Sequence, residues 1–208
     1  MSSSVASAHD APTVVYRLLA AASRPFVRLA FGLDVSGADN LPSGGFVLCS
    51  NHLSGFDPWA LSIPLYPRQP RFMAKSEVFR RPFRALLAQV GLFSVAARPV
   101  DVATRHAVAG RPVLIFPAGT RRKTVVTGEV LRPRTGAARV ALAAGVPLVP
   151  AAVHGTEHAR PRTRWRVQFG PPVPLEDLQA LPSREAVAEA TRRVWEHIGT
   201  LEEEVAAA

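Results

Sequence analysis

Short apolar runs alternating with helical stretches predict an α/β chain. The expected architecture is a single domain with a mixed, mostly parallel sheet flanked by helices, and an amphipathic helix at its N-terminus. Three observations carry that prediction. Apolar runs bounded by Gly or Pro recur at residues 46–49, 71–74, 92–95, 113–116, 147–153 and 165–169. Helical patterns separate several of them, notably 135–144 and 184–201. The 208 residues, 48% of them apolar, suffice for one sizeable core rather than two.

Taken in order, residues 1–11 are small and polar and read as a disordered start. They lack a basic n-region, so no secretory signal is expected. Residues 12–33 follow as a helix. Val15, Leu18, Leu19, Ala22, Phe26, Leu29 and Leu33 recur at helical spacing, while Arg17, Arg24 and Arg28 gather within roughly 40° at about 100° per residue. Pro25 is expected to kink it. Two readings stand side by side: a surface helix packed on the domain, or an interfacial helix lying in an anionic membrane. A second basic amphipathic stretch, 78–90, combines Phe79, Phe83, Leu86, Leu87 and Val90 with Arg80, Arg81 and Arg84. Residues 34–208 form the main domain, and no internal repeat interrupts them. An 18-residue apolar run is absent, so an ordinary spanning helix is not expected.

Charge narrows the choice of partners. Twenty-five Lys and Arg against sixteen Asp and Glu give +9, which favours an anionic partner: nucleic acid, a phosphorylated metabolite or a membrane surface. The excess is localised. Residues 58–156 hold 15 basic side chains and only Glu77, Asp101 and Glu129, or +12, leaving −3 for the remainder. A basic centre between mildly acidic ends points to an anion site or face. Cys49 is the sole cysteine, which excludes an intramolecular disulfide and a cysteine metal cluster and suits a reducing compartment.

The strongest local signal is Asn51-His52-Leu53-Ser54-Gly55-Phe56-Asp57, directly after the apolar run ending at Cys49. A histidine at a strand end and a carboxylate five residues later, at a helix start, can meet across the turn. The carboxylate then fixes the ring tautomer and stabilises the imidazolium. Ser54-x-x-Asp57 followed by Pro58 also fits a helix capping box, in which Asp57 receives only backbone amides. The second signal runs from Val113 to Lys123, a strand followed by Pro117-Ala118-Gly119-Thr120 and three cations. That turn is either a phosphate cradle or a basic hairpin tip. A metal centre is not expected, since His154 and His158 lie in a Gly/Pro/Arg-rich loop without further ligands at suitable spacing. Nucleic-acid binding is not expected either, because no recognised module is present and the basic residues are not interleaved with exposed aromatics.

Taken together and in order, these segments resemble the PlsC-type glycerolipid acyltransferases, the 1-acylglycerol-3-phosphate acyltransferase family. Asn51-His52-x-Ser54-x-x-Asp57 is similar to its N-H-x-S-x-x-D block, Phe116 to Arg121 to F-P-E-G-T-R, and Val146 to Pro150 to V-P-[IL]-[IV]-P, across residues 35–175. Lesser echoes are Phe72-Met73-Ala74-Lys75 and Thr135-Gly136-Ala137-Ala138.

The resemblance implies transfer of a fatty acyl group from acyl-CoA or acyl carrier protein to a hydroxyl of a lysophospholipid such as 1-acylglycerol 3-phosphate, in phospholipid biosynthesis. The donor is a substrate, and no cofactor or metal is implied. It also implies partners in the membrane surface and its anionic lipids, and a peripheral or monotopic location on the cytoplasmic face. His52 and Asp57 take the catalytic roles, with Asn51, Ser54, Arg98, Gly119, Thr120, Arg121 and Arg134 binding substrate. The Gly119 and Thr120 amides are candidate oxyanion donors. Two departures stand out: Ala118 replaces the glutamate of the third block, and Arg98 lies seven rather than six residues after Gly91. They keep open an alternative, a noncatalytic anionic-lipid-binding homologue.

Overall fold

The computed structural model describes residues 12–74, 89–94, 98–121, 132–158, 160 and 162–208. The expected start at 1–11, most of the basic stretch at 78–90, and Arg122 and Lys123 lie outside these residues.

Seven strands form one sheet: β1 (Asp34–Ser36), β2 (Phe46–Ser50), β3 (Arg71–Ala74), β4 (Leu92–Ser94), β5 (Pro112–Ile115), β6 (Leu148–His154) and β7 (Arg166–Phe169). Their order is β1-β7-β6-β2-β5-β3-β4. Every neighbouring pair is parallel except β6 and β7, which run antiparallel with Ala152 opposite Gln168. The mixed, mostly parallel sheet is therefore as expected, and its opposed portion is β7 with the short edge strand β1.

β2 is central and buried at all five residues, as a strand covered on both faces must be. Its side chains alternate, Phe46 and Leu48 entering one core and Val47 and Cys49 the other. The second core is closed by α3 (Pro99–Val108), α4 (Gly136–Ala144) and α5 (Ser183–Ala207), whose alanines bring the helices close: Ala103, Ala107, Ala138, Ala141 and Ala190 are all buried. The first is covered by α1 (Val14–Phe31) and α2 (Asp57–Ser62).

α1 meets the domain through a face that the sequence wheel did not mark. Thr13 caps it through Oγ1 on the Tyr16 amide, Gly32 ends it in the left-handed region, and Pro25 lies inside without ending it. It docks through Tyr16, Val27 and Phe31, on the side of the helix away from the apolar stripe read in the sequence. Its last turn is tied down by backbone bonds from Arg162 to Ala30 and Trp165 to Phe31. The stripe itself faces outward: Leu29 is 88% and Leu18 67% exposed, with Leu19 and Phe26 beside them. Beneath Phe26, Trp59 of α2 stacks at 6.3 Å, and Phe56 and Trp165 complete the aromatic cluster.

Candidate active site

Chain direction puts the carboxyl ends of the five parallel strands at one edge of the sheet. α2 and α4, the next described helices after β2 and β5, cover opposite faces of the sheet, and such a point is where open α/β sheets bind ligands. The loop after β2 carries Asn51 to Phe56, and α2 begins at Asp57.

Within that loop the two sequence readings of Asp57 merge. His52 Nδ1 lies 2.7 Å from Asp57 Oδ2, and the same oxygen accepts the Leu53 amide at 2.6 Å and the Ser54 amide at 2.9 Å. Oδ1 accepts hydroxyls from Ser54 at 3.2 Å and from Thr156. Half of the capping box is formed: Asp57 accepts the Ser54 amide, while the Ser54 hydroxyl takes the Phe56 amide. Asp57 is fully buried. Burial pushes its carboxyl up, but the hydrogen bonds from His52, Thr156, Ser54 and Leu53 outweigh it and hold the group below the usual carboxylate range. With Nδ1–H donating to the carboxylate, Nε2 is the nitrogen that carries the lone pair. The ring stacks on Phe116 at 4.1 Å and 16°, and its side chain is 16% exposed, so it is held on one face and reachable at an edge.

Asn51 has a different place from the one the sequence suggested. Its Nδ2 donates to the Val153 carbonyl and to Glu202 Oε1, both at 2.9 Å, while Oδ1 accepts the Val153 amide and the Ser50 hydroxyl. Both amide protons and both acceptor sites are taken, so Asn51 ties the loop to β6 and α5 rather than to substrate. Ser54 is likewise turned inward, giving its proton to Asp57 and accepting the Phe56 amide. Cys49, two residues earlier than Asn51, is buried and burial pushes its thiol up, which makes it a core residue and a poor nucleophile.

The turn after β5 reaches the same loop. Gly119 sits at φ +67°, and a Cβ there would lie 2.7 Å from Arg134 Nε, so glycine makes room for the arginine. The Arg134 amide donates to the Pro117 carbonyl, and the Gly119 amide is spent on Phe116 O at 3.0 Å. That turn bond removes Gly119 N–H as an oxyanion donor. Arg121, at the end of the same turn, reaches the loop, its Nη2 3.8 Å from where a Gly55 Cβ would stand. The structure thus assembles His52, Asp57, Ser54, Phe116, Thr156 and Arg121, with Arg134 on the adjoining turn. Arg98 stands apart. It is the N-cap of α3 at φ +43°, its side chain 85% exposed and 3.9 Å from Asp101, at the same sheet edge but beyond β4. Sequence reasoning missed Thr156 and Glu202; the only local hint for Thr156 was a Gly-Thr turn at the end of the β6 run.

Comparisons with known proteins bear on the family and the fold. Residues 32–154 match the family model described as acyltransferase. The chain is 30% identical over 198 residues to the 1-acyl-sn-glycerol-3-phosphate acyltransferase of Bacillus subtilis, covering 90% of this chain and 97% of that protein. It is 26% identical over 178 residues to the enzyme of the same name from Streptococcus pneumoniae, covering 80% and 64% respectively. Its fold is similar to the crystal structure of the 1-acyl-sn-glycerophosphate (LPA) acyltransferase, PlsC, from Thermotoga maritima. That match has a TM-score of 0.69 and 22% identity, and covers 93% of this chain and 79% of the other.

Proposed function

Because the chain belongs to the acyltransferase family, we propose that it transfers a fatty acyl group from the thioester of acyl-CoA or acyl carrier protein to a hydroxyl of a lysophospholipid, with 1-acylglycerol 3-phosphate as the first acceptor to test. The observation that carries this reading is the buried His52–Asp57 pair, 2.7 Å apart, with an edge of the ring reachable from outside. Nε2 of His52 takes the acceptor hydroxyl proton as that oxygen attacks the thioester carbonyl. When the tetrahedral intermediate collapses, the C–S bond breaks and the imidazolium returns the proton to the thiolate. Asp57, ionised throughout, orients the ring and offsets its transient charge. Arg121, beside Gly55 of the loop, and Arg134, on the turn after β5, supply cations for the acceptor phosphate. The donor is consumed as a substrate and the chemistry asks for no cofactor.

The same reading includes peripheral attachment to the cytoplasmic face of an anionic bilayer through α1. Among the described residues no helix is long and apolar enough to cross a membrane. The outward stripe of Leu18, Leu29 and Phe26, rimmed by Arg17 and Arg28 with no acidic residue from 11 to 33, suits an interfacial position instead.

Ala118 favours the second reading, an anionic-lipid-binding homologue without turnover, since the family glutamate that could orient Arg121 is absent. One experiment separates the two. Purified protein is incubated with acyl-CoA or acyl carrier protein and a panel of lysolipids in vesicles, and products are identified by mass spectrometry. Acylated product that disappears in His52→Ala supports the transferase. Binding to vesicles without product from any acceptor supports the alternative.

A further inference from the structure

Of the five donors around Asp57, four come from the same loop, residues 52–54. The fifth, the Thr156 hydroxyl, arrives from 99 residues away. Its delivery is built into the backbone. β6 ends at His154, paired with Arg166, and Gly155 turns the chain at φ +82° so closely past its neighbour that a Cβ would lie 2.2 Å from the Arg164 carbonyl. Only glycine fits there, and the turn buries Thr156 completely.

The two carboxylate oxygens of Asp57 have different partners. Oδ2 takes the imidazole and two amides, while Oδ1 takes hydroxyls alone, from Ser54 and Thr156. Ser54 moves with the loop it belongs to and cannot hold that loop against the sheet. Thr156 can, because β6 is hydrogen-bonded on both sides. The same strand grips the other flank of His52, where the Val153 amide and carbonyl both bond Asn51.

We propose that Thr156 is a positioning residue for acyl transfer: its hydroxyl fixes the rotation of the Asp57 carboxylate, so that Oδ2 presents the His52 ring to the acceptor in one orientation. Thr156 touches neither substrate. It acts through Asp57, and the β6 terminus is the frame on which the catalytic pair is registered. The inference rests on the acyl-transfer reading above.

The test compares kcat and KM of Thr156→Val and Thr156→Ser in the vesicle assay. Thr156→Val is expected to lower kcat by about 10- to 100-fold, the size of effect that a slightly misplaced catalytic group produces, with KM within about twofold. Thr156→Ser, which restores the hydroxyl, is expected within about threefold of wild type. In an Asp57→Asn background the valine change should cost less than about twofold, because the group it serves is already gone. Thr156→Cys, similar in size and a weaker donor, is expected to fall between the two and stands in if the valine variant does not fold. A Thr156→Val enzyme within twofold of wild type overturns the proposal. So does a loss that serine fails to restore, or one that persists undiminished beside Asp57→Asn. A wild type that transfers acyl groups to no acceptor fails the parent reading instead.

Discussion

The catalytic loop and the outer face of α1 treat their side chains in opposite ways. Between Asn51 and Asp57 the polar groups are met by partners within the protein, including the Asn51 amide and both oxygens of a buried carboxylate. On α1 the apolar groups turn away from the protein, and Leu18, Leu19, Phe26 and Leu29 are left exposed. The loop is complete within the protein, as a preorganised site must be for its groups to act without rearrangement. The helix leaves an apolar face uncovered, which the proposed bilayer contact would bury. On the proposed reading, the chemistry is ready-made and only its location is supplied from outside.

Breaking the loop at its base gives the largest effect. His52→Ala is expected to lower kcat/KM by about 10²- to 10⁴-fold, while leaving the circular dichroism spectrum and vesicle binding unchanged. Breaking the helix face reverses that pattern. Serine at both Leu18 and Leu29 is expected to weaken vesicle binding by roughly tenfold per leucine, as loss of most of a leucine's burial would. The melting temperature should stay near wild type, because neither leucine packs on the domain. A double variant that binds vesicles like wild type would show that the stripe is not the contact.

Smaller effects sharpen the contrast. Asn51→Ala strips partners from the Val153 amide and carbonyl and is expected to cost about 1–3 kcal/mol in urea unfolding. The exposed face of α1 should yield nothing comparable. The smallest effect concerns Asp57. Its carboxyl is held below the ordinary carboxylate value, so the unfolded chain binds its proton first as pH drops. The stability it contributes is present above about pH 4 and lost as pH falls through the depressed value. Urea midpoints measured from pH 6 to pH 2.5 should therefore fall less steeply in Asp57→Asn than in wild type, and parallel curves would contradict the assignment.

Residues that answer to local rules were legible in the sequence. β2, β5 and β6 announce themselves as short apolar runs between Gly and Pro, and the histidine and aspartate are brought together by one tight turn. Signals diluted by small residues were lost. α3 buries Ala103 and Ala107, too little apolar mass to mark a face, and β1 is a three-residue edge strand without a fully buried residue. Long-range partners left no trace at all. Nothing near Thr156 or Glu202 says that one reaches Asp57 and the other Asn51, because those contacts exist only once β6 and α5 are in place. α1 was legible only in part. Its stripe was read correctly as a pattern, yet the side packed on the domain is the one with Tyr16, Val27 and Phe31, since the wheel records where apolar residues cluster and not which neighbour claims them.

The aromatic cluster beneath α1 gives the molecule a spectroscopic handle. Trp59 lies two residues after Asp57, stacked under Phe26 of the exposed helix and beside Phe56 of the catalytic loop. Trp195 packs, half-buried, against the core on the opposite face of the sheet. Emission from Trp59, with Trp165 6.2 Å away in the same cluster and stacked on Phe31 of α1, reports on the helix and the loop at once, and Trp195 serves as an internal standard. The proposed arrival at a lipid surface and occupation of the site can thus be timed by stopped-flow fluorescence in unlabelled protein, with Trp59→Phe separating its share from that of Trp165.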